Sequence, residues 1–302
     1  AGDALTTGGN NVMIGQSAGG GSTDVDSAVI IGSNAAIADM TSGADATVAI
    51  GKDALRSLTS GAGNIAIGNG AAYYLTTTSS NVAIGTFALT TVGAGANNVA
   101  IGLSAMTSSG TAANNDASNN TAIGYNAFRE ATDGDNNVAV GYDALRNTTT
   151  GSNNVAVGSN SLDALTTGNY NTAVGYDAGG SLNTESANTY VGYEVGTYMD
   201  DGANNVAMGY RSMKGASVGN DATDNVAVGA LTMTAIVDAD QNTAVGKSAL
   251  TALTEGHYNV AIGSSALAAN TTGGNNVAIG KQSGLDLSTS SYNTFVGSMS
   301  GY

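Results

Sequence analysis

The sequence predicts an all-β fold, a parallel β-solenoid of about 17 coils with a 17-residue repeat, and three observations carry that prediction. A pentapeptide of the type Asn98-Val99-Ala100-Ile101-Gly102 returns along the whole chain. Aligned on its glycine it occurs seventeen times between Gly15 and Gly297, and thirteen of the sixteen steps are 17 residues, the mark of a repeat whose units must stack to bury a core. Within each copy residues two apart are alike, which is the period of a strand.

The strand comes first in each coil. The residue before the glycine is always Ile, Val or Met, and the residue two before that is Val, Ile or Thr. These two flanking residues are expected to face inward. The residue between them is Ala in thirteen copies, with Met13, Ile30, Tyr190 and Phe295 as the exceptions. A face that small suits close packing against another chain, so Ala100, Ala122, Ala139, Ala156 and Ala173 are expected at an oligomer interface. Left bare, such a strip would exceed the apolar patch a monomer usually shows.

An Asn precedes the strand in fifteen copies and is absent only at Ala28 and Thr47. Side-chain amides stacked at one coil spacing can bond along a ladder. After the glycine, strings such as Asp53-Ala54-Leu55 and Asp143-Ala144-Leu145 read as a second short strand across the turn. A polar segment such as Thr148-Thr149-Thr150-Gly151-Ser152-Asn153 then returns the chain to the next copy.

The array is expected to run through residues 1–302 as one unit, with loop insertions near 33–46, 106–119 and 213–224. It enters and leaves in mid-pattern, as a segment of a longer fibre would.

Composition narrows the chemistry. The chain has no Pro, Cys or Trp, which removes disulfides and thiolate metal sites and agrees with strand amides that are all engaged. A formal net charge of −15 disfavours nucleic acid and anionic membrane as partners. No apolar run approaches the ~20 residues of a membrane span, so no membrane insertion is expected. The glycine strings do not join a strand to a helix as a phosphate loop does.

The unit Asn171-Thr172-Ala173-Val174-Gly175-Tyr176-Asp177-Ala178 resembles the head repeats of trimeric autotransporter adhesins, and more closely the longer repeats of phage tail fibres and bacterial surface fibres. The resemblance covers residues 10–301. It implies a left-handed parallel β-roll, association of three chains about a common axis, and an extracellular place on a cell or virion surface. The function it implies is structural and adhesive, a fibre shaft or head contributing to binding of a glycan or protein receptor. A polysaccharide-degrading tailspike-like enzyme and a self-polymerising filament subunit are the alternatives.

Candidate surface-binding residues are Tyr125, Tyr142, Tyr176, Tyr193 and Tyr210, each directly after a repeat glycine and interrupted only by Ser159. Aromatic faces with polar tips suit glycan or protein contact, though a ladder protecting coil edges would look the same. Asp177 and Glu194 fall one coil apart, so their carboxylates could approach at about the 4.8 Å strand spacing. That is the separation a retaining glycosidase uses, but a lone pair more often sits on a solvated surface. His257, the only histidine, reads as a turn residue. The expectation is therefore no catalytic residue, no cofactor and no metal.

Overall fold

A computed structural model describes residues 1–91, 95–108, 115–216 and 219–301. The chain forms two compact units, residues 1–153 and 154–302. Each is a parallel β-solenoid with one three-residue strand per coil. The first unit contains eight strands, from β1 (Val12–Ile14) to β8 (Val138–Val140). The second contains nine, from β9 (Val155–Val157) to β17 (Thr294–Val296). Within each unit consecutive strands pair in parallel without slippage, as in Val82↔Val99 and Val260↔Val277.

The insertions leave this register untouched. Val29 pairs with Val48, Val99 with Thr121 and Val206 with Val226, so the extra residues are accommodated outside the strands. The first insertion holds a short 3₁₀ turn, Ser42–Ala44. Parts of the other two, 109–114 and 217–218, lie outside the described residues.

The faces of the strand are the reverse of the sequence expectation. Ala100, Ala122, Ala139, Ala156 and Ala173 have no accessible surface and lie in the interior of their own coils, so they are not an oligomer interface. The flanking Val and Ile side chains point outward, with Ile67 36% and Ile123 37% exposed. The reason is the width of the coil. The interior opposite the strand is already filled by the third and fourth residues after the glycine, as Ala144 and Leu145 are, and only a methyl group fits against them.

The four strands whose central residue is not Ala support this account. Their coils carry a small residue where ten of the others carry Leu, Met or Phe: Gly19 with Met13, Ala36 with Ile30, Gly196 with Tyr190 and Gly301 with Phe295. Ala72, Gly179 and Gly284 are small beside a central Ala, and at the two glycines the space is taken by neighbouring coils, a Cβ on Gly179 lying 3.1 Å from Tyr190 Cδ2 and one on Gly284 3.0 Å from Phe295 Cδ2. A Cβ placed on Gly196 would lie 2.8 Å from the Tyr190 ring, and one on Gly19 would lie 2.8 Å from Met13 Sδ. In the four coils with a large central residue, interior volume is kept by moving the large side chain from one side of the coil to the other. Tyr190 is wholly buried, and its hydroxyl lies 3.3 Å from the amide oxygen of Asn188.

No second strand follows the glycine. The second and fourth residues after it are left-handed, as in Asp143 (φ 53) and Leu145 (φ 52), and this alternation makes a run of tight turns. The turns are held to the next coil by backbone bonds such as Leu89 N–H to Ala105 O, 2.9 Å. The Thr residues of the polar segment add to the stack, Thr132 Oγ1 donating to Thr149 O at 3.0 Å.

The Asn ladder is present and buried. Asn98 donates its backbone N–H to Asn81 Oδ1 at 2.9 Å, and its Nδ2 donates to the same oxygen at 3.2 Å and to Ala117 O at 2.8 Å. Each such Asn thus joins three coils, satisfying buried polar groups that would otherwise be costly. Thr47 interrupts the ladder, and its hydroxyl is buried without a hydrogen-bond partner. We expect Thr47→Asn to restore the missing rung and offer an oxygen to the Asn64 N–H. Given about 1 kcal/mol per hydrogen bond, the melting temperature should rise by about 2–4 °C in a thermal scan. A lower value would show that the slot at this coil cannot accept the amide.

Candidate functional site

The residue after each repeat glycine emerges from the coil, because the glycine itself (φ 127 to 144) turns the chain outward at the end of the strand. Tyrosines at this place therefore stack at the coil spacing on the surface. In the first unit Tyr125 and Tyr142 lie with ring centroids 5.3 Å apart and planes 13° apart. In the second, Tyr176, Tyr193 and Tyr210 form a three-ring column with separations of 5.2 and 5.6 Å. All five rings are roughly half exposed. The five predicted residues are thus grouped by the fold into one pair and one column, each presenting aromatic area with polar tips.

The column in the second unit is braced by two cations, Arg211 and Lys214, that the repeat pattern does not single out. Glu194 Oε2 accepts from Arg211 Nε at 2.9 Å and from Lys214 Nζ at 2.6 Å. The Arg211 guanidinium sits 5.0 Å from the centre of the Tyr210 ring, and Lys214 Nζ lies 5.5 Å from that of Tyr198. Arg211 follows Glu194 by one repeat, so the pairing was recoverable by aligning the second residue after each glycine. Lys214, 20 residues on, was less accessible to that alignment.

This bracing sets the titration of the site. The Lys214 ammonium, with Arg211 and the Tyr193 hydroxyl, lowers the Glu194 carboxyl to about 2, while burial and the Glu194 charge raise that of Asp177. Hydrogen bonding to Glu194 also raises the Tyr193 phenol. A carboxylate held by two cations reads as a structural tie, which is the surface alternative to catalysis for the Asp177 and Glu194 pair.

A folded-state pKa below the unfolded value stabilises the protein above the unfolded pKa and ceases to do so as pH falls through the folded one. The Glu194 contribution is therefore complete above about pH 5 and is lost between the ordinary value of 4.5 and about 2. Asp177 acts with the opposite sign. We expect Glu194→Gln to lower stability at pH 7, with the gap from wild type closing as pH falls from 5 to 2 in denaturant titrations. A gap of constant size would show that the charge of Glu194 is not its source.

Beside the Tyr125 and Tyr142 pair, the first unit opens a cleft of about 350 Å³ across three coils. Phe87 and Thr90 contribute from one coil, Ser104 and Thr107 from the next, and Tyr125 and Arg129 from the third. Small residues in the middle coil lie between large ones on either side. The signal was present in the sequence, since Phe87 is the only aromatic residue at the second place after a repeat glycine.

His257 lies in the irregular segment that leads to the next strand, outside a turn, and its Nδ1 accepts the Asp240 N–H at 3.0 Å. Among the described residues no group of three or more His, Cys, Asp or Glu side chains could hold a metal ion, and no helix is long and apolar enough to cross a membrane. In comparisons with known proteins, no family model, characterised protein or solved structure matches the chain.

Proposed function

We propose that the chain is a structural and adhesive element of an extracellular fibre, self-associating through its outward Val and Ile rows and contributing exposed aromatic surface to receptor contact. The supporting observation is the outer face of the strands. In the first unit it displays fifteen Val and Ile side chains and one Thr, with no charged residue among them. Full burial of such a side chain removes about 60–120 Å² from water at ~25 cal/mol/Å², so one-third exposure leaves on the order of 500 Å² bare in this unit. That is near the top of the range for monomers. The second unit's outer face is also uncharged, with thirteen Val and Ile, four Thr and Met208.

Parallel strands paired without slippage make these β-branched side chains a repetitive surface. A second and third copy in the same register would meet it with like rows. Threefold association is the arrangement implied by the resemblance to adhesin heads. The acidic residues lie outside the strands, where they keep the assembly soluble.

Light scattering coupled to size exclusion tests the assembly. Three times the 29.4 kDa chain mass, constant with concentration, is the expected result. A mass of one chain would overturn self-association, and a mass growing with concentration would favour the filament subunit instead.

A further inference from the structure

We propose that the cleft between Phe87, Ser104 and Tyr125 is a binding site for an acidic saccharide, a pyranose bearing a carboxylate. The proposal rests on the adhesive reading above and assigns it a place and a ligand chemistry.

The walls are built in an unusual way. Phe87 occupies a left-handed position (φ 57) that other coils mostly give to Asp, Asn, Ser or other non-aromatic residues, and it is 46% exposed. An aromatic residue there is conformationally disfavoured and leaves nearly half of its surface in water. Its ring lies over Gly70, where a Cβ would approach Phe87 Cδ1 to 2.9 Å, so the preceding coil makes room for it. On the far side Tyr125 is 44% exposed and is steadied from behind by stacking on Tyr142. Two aromatic surfaces thus bound a trough whose floor is Ser104 and Thr107.

The polar groups suit a sugar. Thr90 Oγ1 donates to Phe87 O at 2.6 Å and Thr107 Oγ1 to Ser104 O at 2.7 Å, which fixes both hydroxyls and keeps lone pairs for ligand hydroxyls. Asn126, also on the wall, donates its Nδ2 to Asp143 Oδ1 at 3.0 Å, which orients the amide and leaves its oxygen to accept. Apolar ring faces for C–H groups, with hydroxyl and amide edges for O–H groups, are the two halves of pyranose recognition.

Arg129 decides the class. It is one of eight Lys and Arg residues against twenty-three acids, and its side chain is 48% exposed at the cleft. Glu130 approaches its Nε at 3.5 Å, and the terminal nitrogens form a planar fork matched to a carboxylate. In a chain of net charge −15 a neutral sugar would not need this cation, whereas an anionic one would be repelled without it.

The test uses the intact chain with glucuronate-, galacturonate- and sialate-terminated oligosaccharides and their methyl esters, read by saturation-transfer NMR and titration calorimetry. At least one acidic probe should bind, with its ester at least tenfold weaker. Arg129→Gln and Phe87→Ser should each weaken binding at least tenfold while keeping the wild-type circular dichroism and mass. Ser already stands at the equivalent place of the next coil, Ser104 (φ 56), so the second variant is compatible with the fold. Arg129→Lys should recover part of the loss. Failure to bind any acidic probe, equal binding of esters, or binding unchanged in both variants would overturn the site. If the chain still adheres to cell surfaces in those cases, the cleft assignment fails and the adhesive reading stands; if it adheres to none, both fail.

Discussion

Ile123→Lys should convert the assembly to a 29.4 kDa monomer that retains its β structure. Ile123 sits on the outer face of its strand, 37% exposed, so a lysine there reaches solvent in an isolated chain and disturbs no interior contact. In the proposed assembly the same side chain is covered by its symmetry mates. An uncompensated buried charge costs about 3–5 kcal/mol, and each chain brings one to the same level of the stack. The dissociation constant should therefore rise by at least about a thousandfold, from 1.4 kcal/mol per factor of ten. Scattering mass and circular dichroism on one sample check both halves of the expectation. Ile123→Val, which keeps the face apolar, should leave the mass unchanged. A multimer that survives Ile123→Lys would place the contact on another face.

Gly124→Ala should unfold at least the coils around it. A Cβ at this position would lie 2.2 Å from the carbonyl oxygen and 2.7 Å from the carbonyl carbon of Gly141, on a backbone with φ of +140°. Neither contact can be relieved by a side-chain rotation, because both partners are backbone of the next coil. Strain of about 1–3 kcal/mol from the dihedral adds to a comparable or larger cost of overpacking. Because stability in a stacked repeat is a sum over neighbouring coils, the damage should appear as an earlier, separate phase in a urea melt. Gly63 provides the contrast. It is also left-handed (φ +65) but nothing lies within 4 Å of a Cβ there, and Asn occupies the same place in other copies. Gly63→Asn should be neutral or slightly stabilising, and an equal loss from both variants would remove close coil approach as the explanation.

Much of this architecture was legible because the repeat states it many times. The strand period, the glycine at its end and the Asn before it each recur at one phase, so stacking coils and an amide ladder followed from alignment. The direction of the strand faces did not follow. Val99, Ala100 and Ile101 are all apolar, and a period of two separates the faces without saying which one is inside. The clue was the coupling of Met13, Ile30, Tyr190 and Phe295 to small residues six positions later, which marks the alanine row as facing the interior. The second strand expected after the glycine failed for a related reason. Asp143-Ala144-Leu145 has strand-like alternation, but its alternating left-handed dihedrals are set by the need to turn within a few residues.

The candidate sites divide along the same line. Tyr125, Tyr142, Tyr176, Tyr193 and Tyr210 share a phase, so their emergence on one surface could be read directly. The cleft could not, since it joins unlike residues at three different places in three coils. The amino-acid sequence by itself determined the repeat, the parallel register, the ladder and the tyrosine rows, because each depends on identity at a fixed period. Only the tertiary structure decided that alanine faces inward, that Val and Ile form the outer face, and that Phe87, Tyr125 and Arg129 enclose one space. Those outcomes depend on how much volume a closed coil can hold, a quantity set by all of its side chains together and by no single position.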